Sequence, residues 1–564
     1  MGKVTLAGIT HSSTCPFAIF PFAVLPFTLS PTMNQFRRLL IPVLVLLITT
    51  AAFCSAYNAR PKLVVVIVVD QLRGDMIERY HDQFVEGGFR LLMDRGAWFS
   101  SCYYNYANLR TAPGHSTIGT GTYSLGHGIF ANEWYDPTQK KVVSSVEDST
   151  TKLLGAEVGG SGSSPHNLLS DTIGDELKLA TGGKARVFGV ALKDRAAILP
   201  VGFSADAAFW IDHDNGAWLT STYYAKAAPD WVLKFNTERR GEKYANINWK
   251  DSEGKVLRST ALEQNGKKVS FYDAVGATPF AADYTFEFVR ELVDNEKLGS
   301  GPNTDLLVVS LSNNDILQHK VGPDSPQERE LMLATDRQLA AFFAYLGRQV
   351  GLANVAIALT ADHGGAPAPD YAKSLRIPAD GFDPKKFRAD LNRILSTKLG
   401  KTAEYVRGYD HPNVYLDETA FAAVNVQEAA AEIAAGEALK QLGALGYVTK
   451  SQLAAGDVPN TVFREKYLNS YSPYGPWYVF SIPRPFLIGY TTGTDHSLPY
   501  TYDTHVPLAF FGVSFKPGQY REKVETVDLA ATIASLLGIN PPASAVGRPL
   551  HEAFVDARPQ ETTR

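Results

Sequence analysis

Three apolar runs, at residues 63–69, 305–311 and 354–360, constrain the fold more than any other feature of this chain. Each is rich in Val, Leu, Ile or Ala, which is typical of strands buried on both faces of a parallel sheet. Helical patterns separate the runs, and the longest covers residues 327–349. This alternation predicts a doubly wound α/β fold, with a mostly parallel sheet and helices on both faces.

Acidic residues and histidines stand where these runs end. Asp70 follows the first run, Asp315 and His319 come soon after the second, and Asp362 and His363 follow the third. The carboxyl ends of parallel strands meet at one edge of a sheet, where ligands bind in open α/β folds. Asp315 and His319 share a helix face if a helix begins there. Each residue alone is weak evidence, because Asp and His are also common in caps and turns.

A loop leading into a helix carries one hydroxyl at the start of that helix. Pro113 fits the first helical turn and places Thr111 at or just before the N-cap. The positive end of the helix dipole favours an anionic substrate there. Two interpretations are open: Thr111 is an ordinary N-cap that accepts a backbone N–H, or its oxygen faces a substrate.

His496 adds a third imidazole to the three carboxylates at Asp70, Asp315 and Asp362. Three carboxylates and three imidazoles are a donor set that suits two zinc ions. Their occurrence together with Thr111 favours a metal-dependent site over a chance collection of turn residues.

Seven short motifs carry a family resemblance. They are Asp70-Gln71, Thr111-Ala-Pro-Gly-His115, Asn132-Glu-Trp134, Lys193-Asp-Arg195, Asn314-Asp-Ile-Leu-Gln-His319, Asp362-His363 and Asp495-His496. In this order the sequence resembles the alkaline phosphatase superfamily, and within it the phosphate-irrepressible alkaline phosphatases with a threonine nucleophile. The matches run from about residue 63 to about residue 550 and fade in two predicted insertions.

The resemblance implies two zinc sites. The ligands of the first are Asp315, His319 and His496. The ligands of the second are Asp70, Asp362, His363 and the oxygen of Thr111. It also implies that phosphate monoesters are hydrolysed through a phosphothreonine intermediate.

Three donors remain for the phosphoryl oxygens, namely Asn132, Lys193 and Arg195. Lys193 and Arg195 follow a buried strand with one residue between them and point to the same side if the chain stays extended. His115 and His505 are outside the matched set and are interpreted as structural. A sulfatase would need Cys or Ser where Thr111 stands, so sulfate ester hydrolysis is not expected.

The N-terminal region has the pattern of a secretory signal peptide at residues 33–56. Arg37 and Arg38 precede a 15-residue apolar run at 39–53, which is shorter than the roughly 20 residues of a membrane-spanning helix. An uncleaved anchor is the alternative. Residues 1–32 are then an upstream extension or a misassigned start, and export to a bacterial periplasm or the extracellular space is expected.

Residues 57–564 are predicted to form a single catalytic domain with insertions at about 204–280 and 417–490. The formal net charge of −4 over 564 residues, without a basic run, does not indicate nucleic-acid binding. A chain cut after residue 56 keeps only Cys102, which is interpreted as a core residue rather than a nucleophile. Small phosphate monoesters are the expected partners of a monomer or weak oligomer, with no stable membrane insertion after signal cleavage.

Two other functions are compatible with the same motifs. A nucleotide pyrophosphatase/phosphodiesterase has the same fold, metals and threonine but lacks Lys193 and Arg195. A non-catalytic, metal-stabilised protein that binds phosphorylated ligands is the alternative from another class.

Overall fold

The central element of the computed structural model is a mixed sheet. The structure describes residues 60–136, 139–473, 475–489 and 493–555, so the predicted signal peptide and upstream extension lie outside the described residues. Within those residues the sheet has eleven strands. They are β1 (Leu63–Val69), β2 (Ala97–Tyr103), β3 (Leu153–Leu154), β4 (Val187–Val190), β5 (Ala207–Ile211), β6 (Trp218–Ser221), β7 (Asp305–Leu311), β8 (Val355–Thr360), β9 (His505–Phe511), β10 (Gly518–Tyr520) and β11 (Val524–Glu525).

The three predicted apolar runs form three neighbouring strands at the centre of this sheet. The spatial order is β10-β2-β9-β8-β1-β7-β4-β5-β6-β3, and β11 also pairs with β2. Strand β1 is parallel to both β7 and β8, and β4 and β5 continue in parallel beyond β7. Every residue of β1, β7 and β8 is buried, as expected for strands covered on both faces. The predicted α/β fold class is confirmed, and the antiparallel pairs of the sheet join β8 to β9, β9 to β2, β5 to β6 and β6 to β3.

Helices connect these strands. The α-helices of the described residues are Gly74–Arg79, Phe89–Arg95, Thr111–Thr120, Ser124–His127, Ile173–Ala180, Asp194–Ile198, Asp230–Thr237, Phe271–Val275, Pro279–Glu296, Asn313–Val321, Pro326–Gln349, Pro369–Ser374, Pro384–Leu399, Glu418–Ala422, Glu428–Gln441, Lys450–Ala455, Arg464–Asn469, Thr501–Thr504 and Asp528–Leu537. None of the helices in the described part of the chain combines the length and the apolar character that crossing a bilayer requires.

The range predicted as a first insertion begins with part of the central sheet. Strands β5 and β6 lie within 204–280 and pair antiparallel across the turn at residues 212–217. The remainder carries small two-stranded ladders. These are Asn248–Lys250 with Val256–Ser259 and Glu263–Gln264 with Lys267–Lys268.

A second, four-stranded sheet partly overlaps the range predicted as the other insertion. Its strands, in spatial order, are Val406–Asp410, Asn413–Leu416, Tyr478–Ile482 and Gly446–Thr449. It packs with Pro384–Leu399 and Glu428–Gln441 around an apolar cluster of its own. The small sheet starts at Val406, before residue 417. All described residues belong to one compact unit, and the division into a domain with two insertions stays a prediction.

Candidate active site

The predicted carboxylates meet at the edge of the sheet where β1, β7 and β8 end. Asp70 directly follows β1, Asp362 follows β8, and Asp315 lies in the helix Asn313–Val321 after β7. All three are buried. Nζ of Lys193 lies 2.6 Å from Oδ2 of Asp70 and 2.6 Å from Oδ2 of Asp315. The convergence inferred from strand polarity is therefore present.

The three predicted histidines are oriented by backbone carbonyls. The Nδ1–O distances are 2.9 Å from His319 to Thr494, 2.9 Å from His363 to Gly364 and 2.6 Å from His496 to Leu109. A carbonyl oxygen only accepts, so Nδ1 of each ring donates and the lone pair remains on Nε2. This is the arrangement in which imidazole binds a metal through Nε2.

The Nε2 atoms lie beside carboxylate oxygens. Their distances are 3.1 Å from His319 to Asp315, 3.7 Å from His496 to Asp315, 3.4 Å from His363 to Asp362 and 3.7 Å from His363 to Asp70. In two triplets the potential ligand atoms all lie within 4.8 Å of one another. The triplets are Asp70, Asp362 and His363, and Asp315, His363 and His496.

Several of these atoms are buried without a hydrogen-bond partner among the described residues. They are Oδ1 of Asp70, Oδ1 of Asp315, Oδ2 of Asp362 and Nε2 of His363. A buried polar atom is costly to leave unpaired, and these four are oxygen and imidazole nitrogen donors of the kind that bind metal ions. The residues present therefore fit metal ions at this edge of the sheet.

Electrostatic interactions at the site are strong because water is excluded. Burial, reinforced by the charge of Asp362, raises the pKa of Asp70. Burial also disfavours the charge of Lys193, but the carboxylates of Asp315 and Asp70 outweigh it and raise that pKa. Burial opposes ionisation of Asp315 too, yet Lys193 and His319 outweigh it and lower its pKa. Negative charge gathered here needs cations to balance it.

Thr111 is the first residue of the helix Thr111–Thr120, and Arg110 is the N-cap. The helix therefore begins earlier than expected: Pro113 is its third residue rather than its first, and Thr111 is its first residue rather than the N-cap or the residue before it. Because Arg110 occupies the N-cap position, the ordinary N-cap interpretation of Thr111 is not supported. The Thr111 side chain is buried, and its Oγ1 lies 3.5 Å from Nζ of Lys193.

The other two predicted phosphoryl donors are placed differently. Oδ1 of Asn132 accepts the backbone N–H of Ala112 at 2.8 Å, which fixes the amide next to Thr111 and keeps Nδ2 as a donor. Arg195 lies inside the helix Asp194–Ile198, so the chain does not stay extended after Lys193. Its Nη1 is 3.7 Å from Oδ1 of Asp194, and its charge opposes protonation of Lys193. The two cations are close without the extended geometry that the sequence suggested.

His115 contacts the site more closely than a structural interpretation implied. It is fully buried, with Nδ1 2.9 Å from the Thr111 carbonyl oxygen and 3.4 Å from Oδ2 of Asp362. Its Nε2 is 2.9 Å from Oγ of Ser310. Because His115 follows Thr111 by four residues on one helix, the i,i+4 spacing was the available indication of this contact. Nε2 of His505, by contrast, lies 2.9 Å from the carbonyl oxygen of Ser100, and its interpretation as structural stays a prediction.

Gln71 belongs to the first of the seven motifs, but sequence reasoning gave it no role at the site. Its φ of 61° lies in the left-handed region, which is uncommon for a residue with a side chain. The backbone N–H donates to Oδ1 of Asp362 at 3.0 Å, and Nε2 donates to Oε1 of Gln318 at 3.2 Å. Gln71 thus ties the ends of β1 and β8 to the helix that carries His319.

A mixed α/β sheet with a buried threonine, three carboxylates and three imidazoles at one edge is the arrangement of the alkaline phosphatase superfamily. Residues 64–460 match the family model for type I phosphodiesterase / nucleotide pyrophosphatase, and the chain belongs to this family.

Relatives cover nearly the whole chain. A Myroides odoratus protein named calcium-transporting ATPase is 33% identical over 92% of this chain and 100% of its own length. Alkaline phosphatase PafA from Elizabethkingia meningoseptica is 32% identical over 88% of this chain and 95% of its own. The crystal structure of wild-type PafA superposes with a TM-score of 0.80 at 30% identity, and covers 88% of this chain and 99% of that one.

Proposed function

We propose that this protein hydrolyses phosphate monoesters through a phosphothreonine intermediate on Thr111. The observation that carries the proposal is a buried hydroxyl at the start of a helix, 3.5 Å from Nζ of Lys193, which in turn contacts two carboxylates. The similarity to alkaline phosphatase PafA supports the same function.

Two zinc ions are the cofactors we infer. The proposed ligands of one are Asp315, His319 and His496. The proposed ligands of the other are Asp70, Asp362, His363 and Thr111. When bound, the ions supply Lewis-acid activation of the attacking and leaving oxygens.

The side chains of the protein supply the nucleophile and the hydrogen-bond donors of the proposed reaction. Oγ1 of Thr111 attacks phosphorus and loses its proton, the ester oxygen departs as the alcohol after protonation, and water later cleaves the phosphothreonine to release phosphate. Asn132, Lys193 and Arg195 donate hydrogen bonds to the non-bridging oxygens. Their fixed positions stabilise the charge that develops there.

The family match favours a second candidate, a phosphodiesterase. A diester carries one negative charge and spends one non-bridging oxygen on its second ester group, whereas a monoester carries two charges and keeps three such oxygens. Lys193 and Arg195 supply two positive charges that can offset the second negative charge of a monoester. We therefore assign the monoester as the main substrate. Diester cleavage remains the alternative.

We also propose that the protein is exported from the cytoplasm. Residues 33–56 have the composition of a signal peptide, and the remaining chain would act in a periplasm or outside the cell on small phosphorylated metabolites. We propose a single catalytic domain over residues 57–564, with the two insertions named above.

The decisive experiment compares an aryl phosphate with an aryl phosphodiester on metal-analysed protein, in the wild type and in Lys193→Ala/Arg195→Ala. An oxyanion donor contributes about 10²–10³ in rate, so the double variant should lose several orders of magnitude in monoester kcat/KM, allowing for non-additivity. Diester turnover should fall much less. Equal losses on both esters would refute the monoesterase assignment and leave the metal site standing.

A further inference from the structure

A cavity of about 390 Å³ lies beside the phosphoryl-binding residues and takes no part in the chemistry described above. Arg110, which precedes Thr111, and Asn132, which bonds the backbone of Ala112, both line it. The other walls come from the hairpin that contains Trp134 and from the strand Val406–Asp410 of the small sheet. The cavity therefore shares Asn132 with the proposed site of phosphoryl transfer and adjoins the start of the helix that carries Thr111.

Aromatic rings form much of the lining, and packing from behind holds them in place. Trp134 packs on Phe130 with ring centroids 5.2 Å apart, and Tyr409 packs on Phe387 at 4.8 Å. The guanidinium of Arg407 lies 4.1 Å from the centre of the Tyr135 ring. Flat surfaces that are already ordered lose little conformational entropy when a ligand stacks on them.

The two arginines in the lining are each paired with a carboxylate. Nη2 of Arg110 lies 2.7 Å from Oδ1 of Asp410, and Nη2 of Arg407 lies 2.7 Å from Oδ2 of Asp417. Glu133 adds a further negative charge to the lining. The cavity thus has no excess of positive charge for a second phosphate, and an uncharged ligand group fits it better.

We propose that this cavity is a leaving-group subsite that binds a flat, uncharged aromatic ring on the alcohol side of the phosphate ester. The proposal rests on the phosphatase function inferred above and names the substrate class within it. The cavity volume lies in the range of small-molecule sites. Stacking on an aromatic or guanidinium face accepts many different rings. Substrates with such a ring are preferred over esters of the same alcohol type without one.

The test uses two matched pairs of primary-alcohol esters with the zinc-loaded enzyme. Adenosine 5′-monophosphate is compared with ribose 5-phosphate, and 2-phenylethyl phosphate with butyl phosphate. Stacking contributes about 1–3 kcal/mol, so kcat/KM should be about 5- to 150-fold higher for the ring-bearing member of each pair. In Trp134→Ala this ratio should fall toward one, and Trp134→Leu repeats the test with the apolar volume largely kept.

Tyr371→Ala is the matched control, because Tyr371 is an exposed aromatic residue outside the cavity lining, and its ratios should equal those of the wild type. A preference in both pairs assigns the subsite to ring stacking, and a preference in the nucleotide pair alone narrows it to nucleobases. Ratios near one in the wild type, or ratios that Trp134→Ala leaves unchanged, would overturn the proposal.

Calorimetry on Thr111→Ala keeps the two proposals distinguishable. Adenosine 5′-monophosphate should bind more tightly than ribose 5-phosphate, and Trp134→Ala should remove the difference. If Thr111→Ala keeps the binding preference but the wild-type enzyme hydrolyses no ester, the phosphatase function is contradicted and the subsite is not. Equal affinities, unaffected by Trp134→Ala, would contradict the subsite.

Discussion

At the scale of single residues, Thr111 has the clearest expected phenotype. The N-cap of the helix Thr111–Thr120 is Arg110 rather than Thr111, so removal of the Thr111 hydroxyl should cost the fold little. Thr111→Ala should keep its thermal midpoint and most of its zinc while kcat/KM for an aryl phosphate falls by several orders of magnitude. Thr111→Ser should retain turnover. Parent-like rates in the Ala variant would mean that a water molecule, rather than Oγ1, attacks the phosphorus.

Gln71 combines an unfavourable backbone conformation with a buried side-chain hydrogen bond. Both Gln71→Ala and Gln71→Gly lose the amide that reaches Gln318, which should cost about 1–3 kcal/mol of unfolding free energy. Glycine also relieves the left-handed backbone strain, so Gln71→Gly should be the more stable of the two by up to about 1 kcal/mol. Denaturant unfolding of both variants measures the difference. A more stable Ala variant would show that the positive φ does not persist in solution.

Among the elements, the helix Thr111–Thr120 depends on close backbone packing against the residues that follow β8. A Cβ at Gly114 would overlap the carbonyl oxygen of Asp362 and lie 2.7 Å from its Cβ. Gly114→Ala should therefore displace Asp362 or Thr111, and reduce both zinc content and turnover. Metal analysis and phosphatase assays on the folded variant measure this.

Gly347 provides the control for that substitution. It lies in the helix Pro326–Gln349, where the nearest atom to an added Cβ is 3.8 Å away, at Leu352. Gly347→Ala should be neutral or stabilising by up to about 1 kcal/mol, because alanine has the higher helix propensity. If Gly114→Ala behaved like Gly347→Ala, the helix would not be held as tightly as its contacts indicate.

The elements differ in how far the sequence predicts them. Strands β1, β7 and β8 were predictable because burial on both faces leaves continuous apolar runs, and strand polarity then brought Asp70, Asp315 and Asp362 together. The role of Gln71 and the walls of the cavity beside Asn132 were not predictable. A positive φ and contacts between residues hundreds of positions apart leave no local pattern in the sequence. The sequence also did not predict the four-stranded small sheet, since short strands resemble loop sequence.

At the scale of the whole molecule, a buried hydrogen-bonded chain joins the long helix Pro326–Gln349 to the site. Oε1 of Glu328 accepts Nε2 of Gln318 at 3.1 Å, and Oε1 of Gln318 accepts Nε2 of Gln71. Glu328 is fully buried, and this burial raises its pKa to about 8 although Gln318 and Arg73 oppose the shift. The folded protein therefore holds a proton that the unfolded chain releases at much lower pH.

The raised pKa makes global stability depend on pH. In the unfolded chain Glu328 loses its proton near its ordinary pKa of 4.5, while the folded protein keeps it up to about pH 8. The unfolded state binds fewer protons in this window, so the contribution of Glu328 to stability falls from about pH 4.5 to about pH 8 and is constant above. The total loss is on the order of a few kcal/mol.

Glu328→Gln removes the ionisation and keeps an amide oxygen for Gln318. The unfolding free energy of the variant minus that of the wild type should therefore rise between pH 5 and pH 8 and level off by pH 9. Denaturant unfolding of the zinc-loaded proteins at these three pH values measures it. Glu330→Gln, at a partly exposed position of the same helix, controls for the added amide. A difference for Glu328→Gln that stayed flat, or fell with pH, would show that Glu328 is ionised in the folded protein at neutral pH.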